Sequence, residues 1–227
     1  MKIGILLAGH TPDELKPTHG TYSDLFHRLL DGHGFSFTTF SVVDMEFPTS
    51  PQECDGWLIT GSKHGAYEDL PFIAPLEDLI RAIYATDRPQ VGICFGHQII
   101  AQALGGKVEK FKDGWAVGRQ TYDWNGQAVA LNAWHQDQVV SLPDDAKVLS
   151  GNAFCNNAAL VYQKKAFTVQ PHPEFENDFT GQLSAIRGKG VVPDPLLEAM
   201  HQDLDKPIDN GLLAQKIAQF FLERRVA

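Results

Sequence analysis

One run limits what this chain can fold into more than any other: Val91-Gly92-Ile93-Cys94-Phe95-Gly96-His97-Gln98. Pro89 to Ile93 reads as a short buried strand, and Phe95 to Leu104 as a helix ended by Gly105-Gly106. Cys94 then sits on the sharp turn between them, with a glycine two residues to either side. That spacing suits a nucleophile elbow, where the chain approaches itself closely and the reactive atom stands exposed above a sheet. The helix would aim its free N–H groups and positive dipole end at the sulfur, favouring the thiolate. A structural cysteine buried in a βα unit satisfies the same run, so this segment alone leaves both readings open.

A second segment favours chemistry. After the apolar Ala166-Phe167-Thr168-Val169 comes Gln170-Pro171-His172-Pro173-Glu174. Flanking prolines stiffen the backbone around His172 and hold its imidazole in one direction. Glu174, two residues on, is placed to accept from the second ring nitrogen, which fixes the tautomer and stabilises the imidazolium. A thiol, a histidine base and a carboxylate that orients it are the parts of covalent acyl-transfer catalysis. His-Pro-Glu by itself could be a surface turn. Beside a cysteine elbow, the catalytic reading is the stronger.

Short apolar runs alternating with amphipathic ones predict an α/β fold, a mainly parallel central sheet flanked by helices. Strands are expected at Lys2 to Ala8, Phe35 to Val42 and Gly56 to Thr60, and helices at Thr21 to Asp31 and Leu76 to Ala85. From Gly106 to about Asn132, glycine turns at Gly114, Gly118 and Gly126 suggest antiparallel strands that extend the sheet or form a small subsheet. Ala159 to Tyr162 and Phe167 to Gln170 read as a hairpin leading to His172. After Phe179 comes a polar stretch with glycine and proline, then a terminal helix from about Leu212 to Arg225. The 227 residues suit one domain with a helical extension over about 180–227.

Here the motifs become specific. Gly92 to Gln98 resembles the active-site signature of class I, triad-type glutamine amidotransferases, and His172-Pro173-Glu174 matches that family's histidine–glutamate pair. The likeness runs from the N-terminus to about Phe179. It is nearest to the stand-alone branch similar to the amidotransferase domain of GMP synthase and to plant γ-glutamyl peptidases, through Trp57 to Gly65 and Trp134 to Val139. The resemblance implies a flavodoxin- or Rossmann-like sheet, Cys94 as nucleophile, and His172 and Glu174 as its partners. It also implies an oxyanion hole from the backbone N–H groups of Gly61 and Phe95. Gln98 would contact bound glutamine, and the loop of Trp134, His135 and Gln136 would meet the substrate's amino-acid end, with His135 as scaffolding. Pro171 departs from the apolar or aromatic residue of many relatives, a change expected to alter the pocket floor.

The remaining chemistry is thinner. His10, Asp13, Glu14, His64, Tyr67, Glu68 and Asp69 could form a polar rim at strand ends. Their spacings match no compact ligand pattern, so neither a metal nor another cofactor is expected. A formal net charge of −9 argues against nucleic acid or an anionic membrane as partner. No signal peptide or spanning run is legible, and three cysteines without paired spacing suit a reducing cytoplasm.

Three functions follow from the resemblance. The first is hydrolysis of glutamine to glutamate and ammonia through a Cys94 γ-glutamyl thioester, with ammonia passed to a separate synthetase. The second is a self-sufficient γ-glutamyl peptidase acting on substituted γ-glutamyl compounds. The third is a binding or regulatory protein that keeps the fold without turnover, which three intact triad positions disfavour. The expected reading is amidotransferase-type γ-glutamyl amide hydrolysis of a small-molecule substrate, with the acceptor unassigned. No phosphate loop is present, and the stretch after Phe179 is too short for a nucleotide-binding domain.

Overall fold

Alternation along the strands sorts the apolar residues onto two faces, and that sorting organises the molecule. The computed structural model describes residues 1–226. Its elements, in chain order, begin with β1 (Lys2–Leu6), α1 (Lys16–His19), α2 (Tyr22–Leu29), β2 (Ser36–Phe40), β3 (Gly56–Ile59) and α3 (Ile73–Tyr84). Next come β4 (Gln90–Ile93), α4 (Phe95–Ala103), β5 (Lys107–Lys110), β6 (Ala116–Trp124), β7 (Gln127–His135) and β8 (Asp137–Ser141). The chain closes with β9 (Ala146–Ser150), β10 (Ala159–Tyr162), β11 (Ala166–Val169), α5 (Asn177–Arg187), α6 (Asp194–Gln202) and α7 (Asn210–Glu223).

The central sheet runs in the order β2-β1-β3-β4-β11-β10-β9. From β2 to β11 the strands are parallel, and β10 and β9 add an antiparallel edge. Leu6, Trp57 and Ile59 face α3 and α4, against Leu76, Ile80, Phe95 and Ile99. Ile3, Ile5, Leu58, Val91 and Ile93 face the other way, onto Phe26 of α2 and Leu213, Ile217 and Phe220 of α7. Helix α2 starts where its sequence says it should. Thr21 accepts from the Asp24 N–H and Asp24 accepts in return from the Thr21 N–H, a closed capping box.

Between Gly106 and Ser141 the antiparallel strands do not extend the sheet. They form two separate ribbons, β5 with β8 and β6 with β7. Asn125 and Gly126, both at positive φ (54° and 85°), make the tight turn between β6 and β7. Gly118, expected at a turn, lies within β6 at φ 65° instead. A Cβ there would come within 2.1 Å of Met200, so this glycine lets α6 seat on the ribbon.

After Phe179 the chain holds more helix than its polar composition suggested. Phe179 and Leu183 bury one face of α5, and Pro195 sits in the first turn of α6, where a missing N–H costs nothing. Gly188, Gly190 and Pro193 punctuate this region and hide the two short periods around them. Helix α7, by contrast, is built into the main core rather than hung on it.

Candidate active site

Three neighbouring parallel strands deliver their carboxyl ends to one place. Ile59 pairs with Gly92 and Ile93 with Val169, so Gly61, Cys94 and His172 follow adjacent strand ends on the same edge of the sheet. This is where ligands bind in open α/β sheets.

The turn at Cys94 is strained. Its backbone adopts φ 52° and ψ −103°, a region that costs of order 1–3 kcal/mol for a residue with a side chain. Close packing holds it there. A Cβ on Gly92 would lie 2.4 Å from the Gly96 carbonyl oxygen, and one on Gly96 would lie 2.2 Å from that of Ile59. Each contact is to backbone, so only glycine lets α4 start this near β3 and β4. Helix α4 is buried nearly all round, which fixes its N-terminus under the sulfur.

His172 reaches both partners expected of it. Its Nδ1 lies 2.7 Å from Glu174 Oε1, with the two side chains 5% and 2% exposed. Its other partner is the Cys94 sulfur. Burial alone would strip the proton from His172, yet the charges of Glu174 and Cys94 outweigh that and push its pKa up to about 10. The imidazole also lies flat on Phe175, with centroids 3.9 Å apart and planes 4° apart. The backbone N–H of His172 donates to the Asn132 carbonyl, which ties the loop after β11 to β7.

The two other buried histidines have the opposite character. Burial, helped by the neighbouring His135, lowers the His97 pKa to about 3, and His97 Nδ1 pairs with Thr168 Oγ1 at 2.8 Å. Burial and the charge of His172 lower that of His135 to about 3 as well. Both stay neutral near pH 7. His172 alone of the three holds a proton there.

Gly61 passes over the pair. A Cβ on it would stand 2.9 Å from His172 Cε1 and 3.8 Å from Cys94 Cβ. Gln98 lines the cleft, but its amide is engaged with protein, donating to the Asp137 carbonyl at 2.9 Å and to Gln170 Oε1 at 3.1 Å. It ties α4 to the ends of β8 and β11. Trp134, His135 and Gln136 all line the cleft too, with Gln136 half-buried. Pro171 does not line it; the floor beside His172 is Glu174 and Phe175.

The cleft has a volume of about 370 Å³. One end is polar, where Tyr67 donates to Asp137 at 3.1 Å and Glu68 accepts from the Gly65 N–H at 2.8 Å. The other end is walled by Tyr22, Trp115, Trp134, Leu183, Arg187 and Val191. Sequence reasoning placed Tyr22 on a core face and assigned nothing to Trp115 or Arg187. Arg187 lies beyond the stretch that carried the resemblance, and no local pattern marks either residue. No group of three or more His, Cys, Asp or Glu among the described residues is arranged to hold a metal ion. No helix among them is long and apolar enough to cross a membrane.

Known proteins resemble this chain in sequence and in fold. Residues 23–183 match the family model for "Glutamine amidotransferase class-I". The chain is similar to "Gamma-glutamyl peptidase 4" of Arabidopsis thaliana, 31% identical over 234 residues that cover 95% of this chain and 93% of that protein. It is 33% identical to a glutamine-hydrolyzing GMP synthase of Clostridium novyi, over 72% of this chain but 33% of that protein. In fold it is similar to a glutamine amido transferase from Methylobacillus flagellatus, with a TM-score of 0.77, 22% identity, and coverage of 99% of this chain and 92% of that one. A cysteine elbow on an open α/β sheet, matched over most of its length by these relatives, makes the chain a member of the class I glutamine amidotransferase family.

Proposed function

We propose that this protein hydrolyses γ-glutamyl amides through a thioester on Cys94. The observation that carries the reading is the buried line Cys94–His172–Glu174, in which His172 is held protonated beside the sulfur. The Cys94 thiolate attacks the γ-carbonyl carbon, and the π electrons move onto oxygen. Backbone N–H groups of Phe95, the first residue of α4, and of Gly61 receive that oxyanion. As the tetrahedral species collapses, the C–N bond breaks and His172 gives its proton to the departing nitrogen. Water then adds to the thioester, losing a proton to His172, and the second collapse releases glutamate and restores the Cys94 thiolate.

Self-sufficient hydrolysis of a substituted γ-glutamyl amide is the reading favoured here. The match to the Arabidopsis γ-glutamyl peptidase spans nearly all of both chains, whereas GMP synthase is matched over a third of its length. The cleft, at about 370 Å³, also falls in the range that takes drug-sized ligands. The GMP synthase likeness supports a second reading, in which glutamine is the substrate and ammonia passes to a separate synthetase subunit. Three free cysteines suit a reducing compartment such as the cytoplasm under either reading.

Steady-state glutamate release by the purified protein alone separates the two. Robust turnover of γ-glutamyl peptides, absent in Cys94→Ala, is the expected result. Weak turnover of peptides and glutamine alike, with Cys94 still labelled by a glutamine analogue, would favour the synthetase-dependent form.

A further inference from the structure

The leaving group has a direction. His172 protonates the departing nitrogen, so the amine must emerge on the His172 side of Cys94. What lies there is Phe175, stacked on His172, and beyond it the wall formed by α5 and the β6–β7 ribbon. Ammonia needs no such wall.

The wall has a definite chemistry. Trp115 and Trp134 are half-buried, their ring centroids 6.2 Å apart and their planes inclined at 56°. Val117, Val192, Met200 and Leu197 back them, so the rings are held in place. Trp134 also packs with Phe175 and Leu183, linking the pair to the floor under His172. Arg187, in the last turn of α5, lines the same end of the cleft. It is exposed and makes no hydrogen bond or ion pair with another described residue.

Resting on the hydrolase reading above, we infer that the Trp115–Trp134 pair and Arg187 form a leaving-group subsite for an amino acid with a large apolar side chain and a free α-carboxylate. The preferred substrates are then γ-glutamyl dipeptides, with the second residue's side chain against the indoles and its carboxylate on the guanidinium. Arg187 suits that role because its planar fork binds a carboxylate through two parallel hydrogen bonds. The polar end, with Glu68 and Asp137, offers carboxylates instead and fits the α-ammonium of the glutamyl group.

The test compares γ-glutamyl-phenylalanine with γ-glutamyl-phenylalaninamide, which differ in the carboxylate alone, and adds γ-glutamyl-glycine and glutamine. The unaltered protein is expected to favour the free acid in kcat/KM by about ten-fold or more, the worth of one charge-assisted contact. Arg187→Met should bring that ratio close to unity, and Arg187→Lys should keep part of it. Trp115→Ala should raise KM for the phenylalanine peptide more than for the glycine peptide. Equal use of acid and amide by the unaltered protein would overturn the inference, as would a preference that survives Arg187→Met. Lys63 and Lys110 also line the cleft, and a preference that disappears in Lys63→Met or Lys110→Met instead would also overturn it. Cys94-dependent turnover of glutamine with none of any peptide would sink the subsite and leave the thioester chemistry standing. Turnover that persists in Cys94→Ala would sink both.

Discussion

Glu174 Oε1 meets His172 Nδ1 at 2.7 Å, although one proline is all that separates the two residues, and this contact decides which histidine near the sulfur carries charge. His97 and His135 are buried without a carboxylate partner and remain neutral.

Glu174→Gln should therefore lower kcat by about 10²- to 10⁴-fold while the fold survives, the range spanned by positioned acid–base groups. It should also change the response to pH. Burial opposes the proton on His172, and Glu174 and Cys94 override it, raising the pKa from the ordinary 6.5 to about 10. A pKa raised by folding adds stability that is complete below about 6.5 and is lost as pH rises toward 10. The stability advantage over Glu174→Gln should shrink across that window, read by urea denaturation at several pH values. The alkaline limb of kcat/KM should move to lower pH in the variant.

Gly61→Ala and Gly96→Ala should fail in different ways. The new Cβ at position 61 meets the His172 ring at 2.9 Å, a side chain that can shift, so activity should fall by about two orders of magnitude with the thermal midpoint little changed. At position 96 it meets the Ile59 carbonyl oxygen at 2.2 Å, which is backbone. Overpacking of that kind costs about 1–3 kcal/mol, and the loss should appear in the unfolding free energy. Activity lost with full stability at position 96 would contradict the packing described for the elbow.

His97 predicts acid sensitivity. Burial lowers its pKa to about 3, below the ordinary 6.5, so the unfolded chain binds the proton first as pH falls. Stability should drop below about pH 6.5, by up to about 1.4 kcal/mol per pH unit for this one group. His97→Phe should weaken the native state by about 1–3 kcal/mol at pH 7, because the buried Thr168 hydroxyl loses its partner. Its slope below pH 6.5 should be shallower than that of the unaltered protein, as measured by chemical denaturation.

Met200 offers a handle on the wall from outside the cleft. It seats α6 on Gly118 and backs Trp115 and Trp134 from behind. Met200→Ala should cost about 2–5 kcal/mol of stability and raise KM for bulky γ-glutamyl peptides more than it lowers kcat. An equal fall in kcat with KM unchanged would place the effect at Cys94 instead.

The centre of this molecule was legible because its constraints are local in the chain. Cys94 between two glycines, and His172 between two prolines with Glu174 close behind, each sit within a few residues. The order of strand, elbow and helix then follows from short apolar runs. The walls were not legible for the opposite reason. Trp134 of β7 was named from its motif, but Trp115, just before β6, and Arg187 of α5 join it only through tertiary packing. Gly118 misled for a similar reason, since its positive φ answers the demands of a helix eighty residues away rather than a turn. Gln98 lay where the elbow's helical spacing put it, yet its amide serves Asp137 and Gln170, partners far off in sequence.

The central claim is that Cys94 alone among the three cysteines is the nucleophile. Burial pushes the Cys155 thiol up to about 12 and raises that of Cys54 as well, which keeps both from attacking. Exposure of the native protein to a glutamine-like diazoketone, followed by peptide mass mapping, reads this directly. The account predicts one label, on Cys94, appearing in step with loss of turnover and prevented by excess γ-glutamyl substrate. Equal labelling of Cys54, Cys94 and Cys155, or full turnover by protein labelled at Cys94, would contradict it.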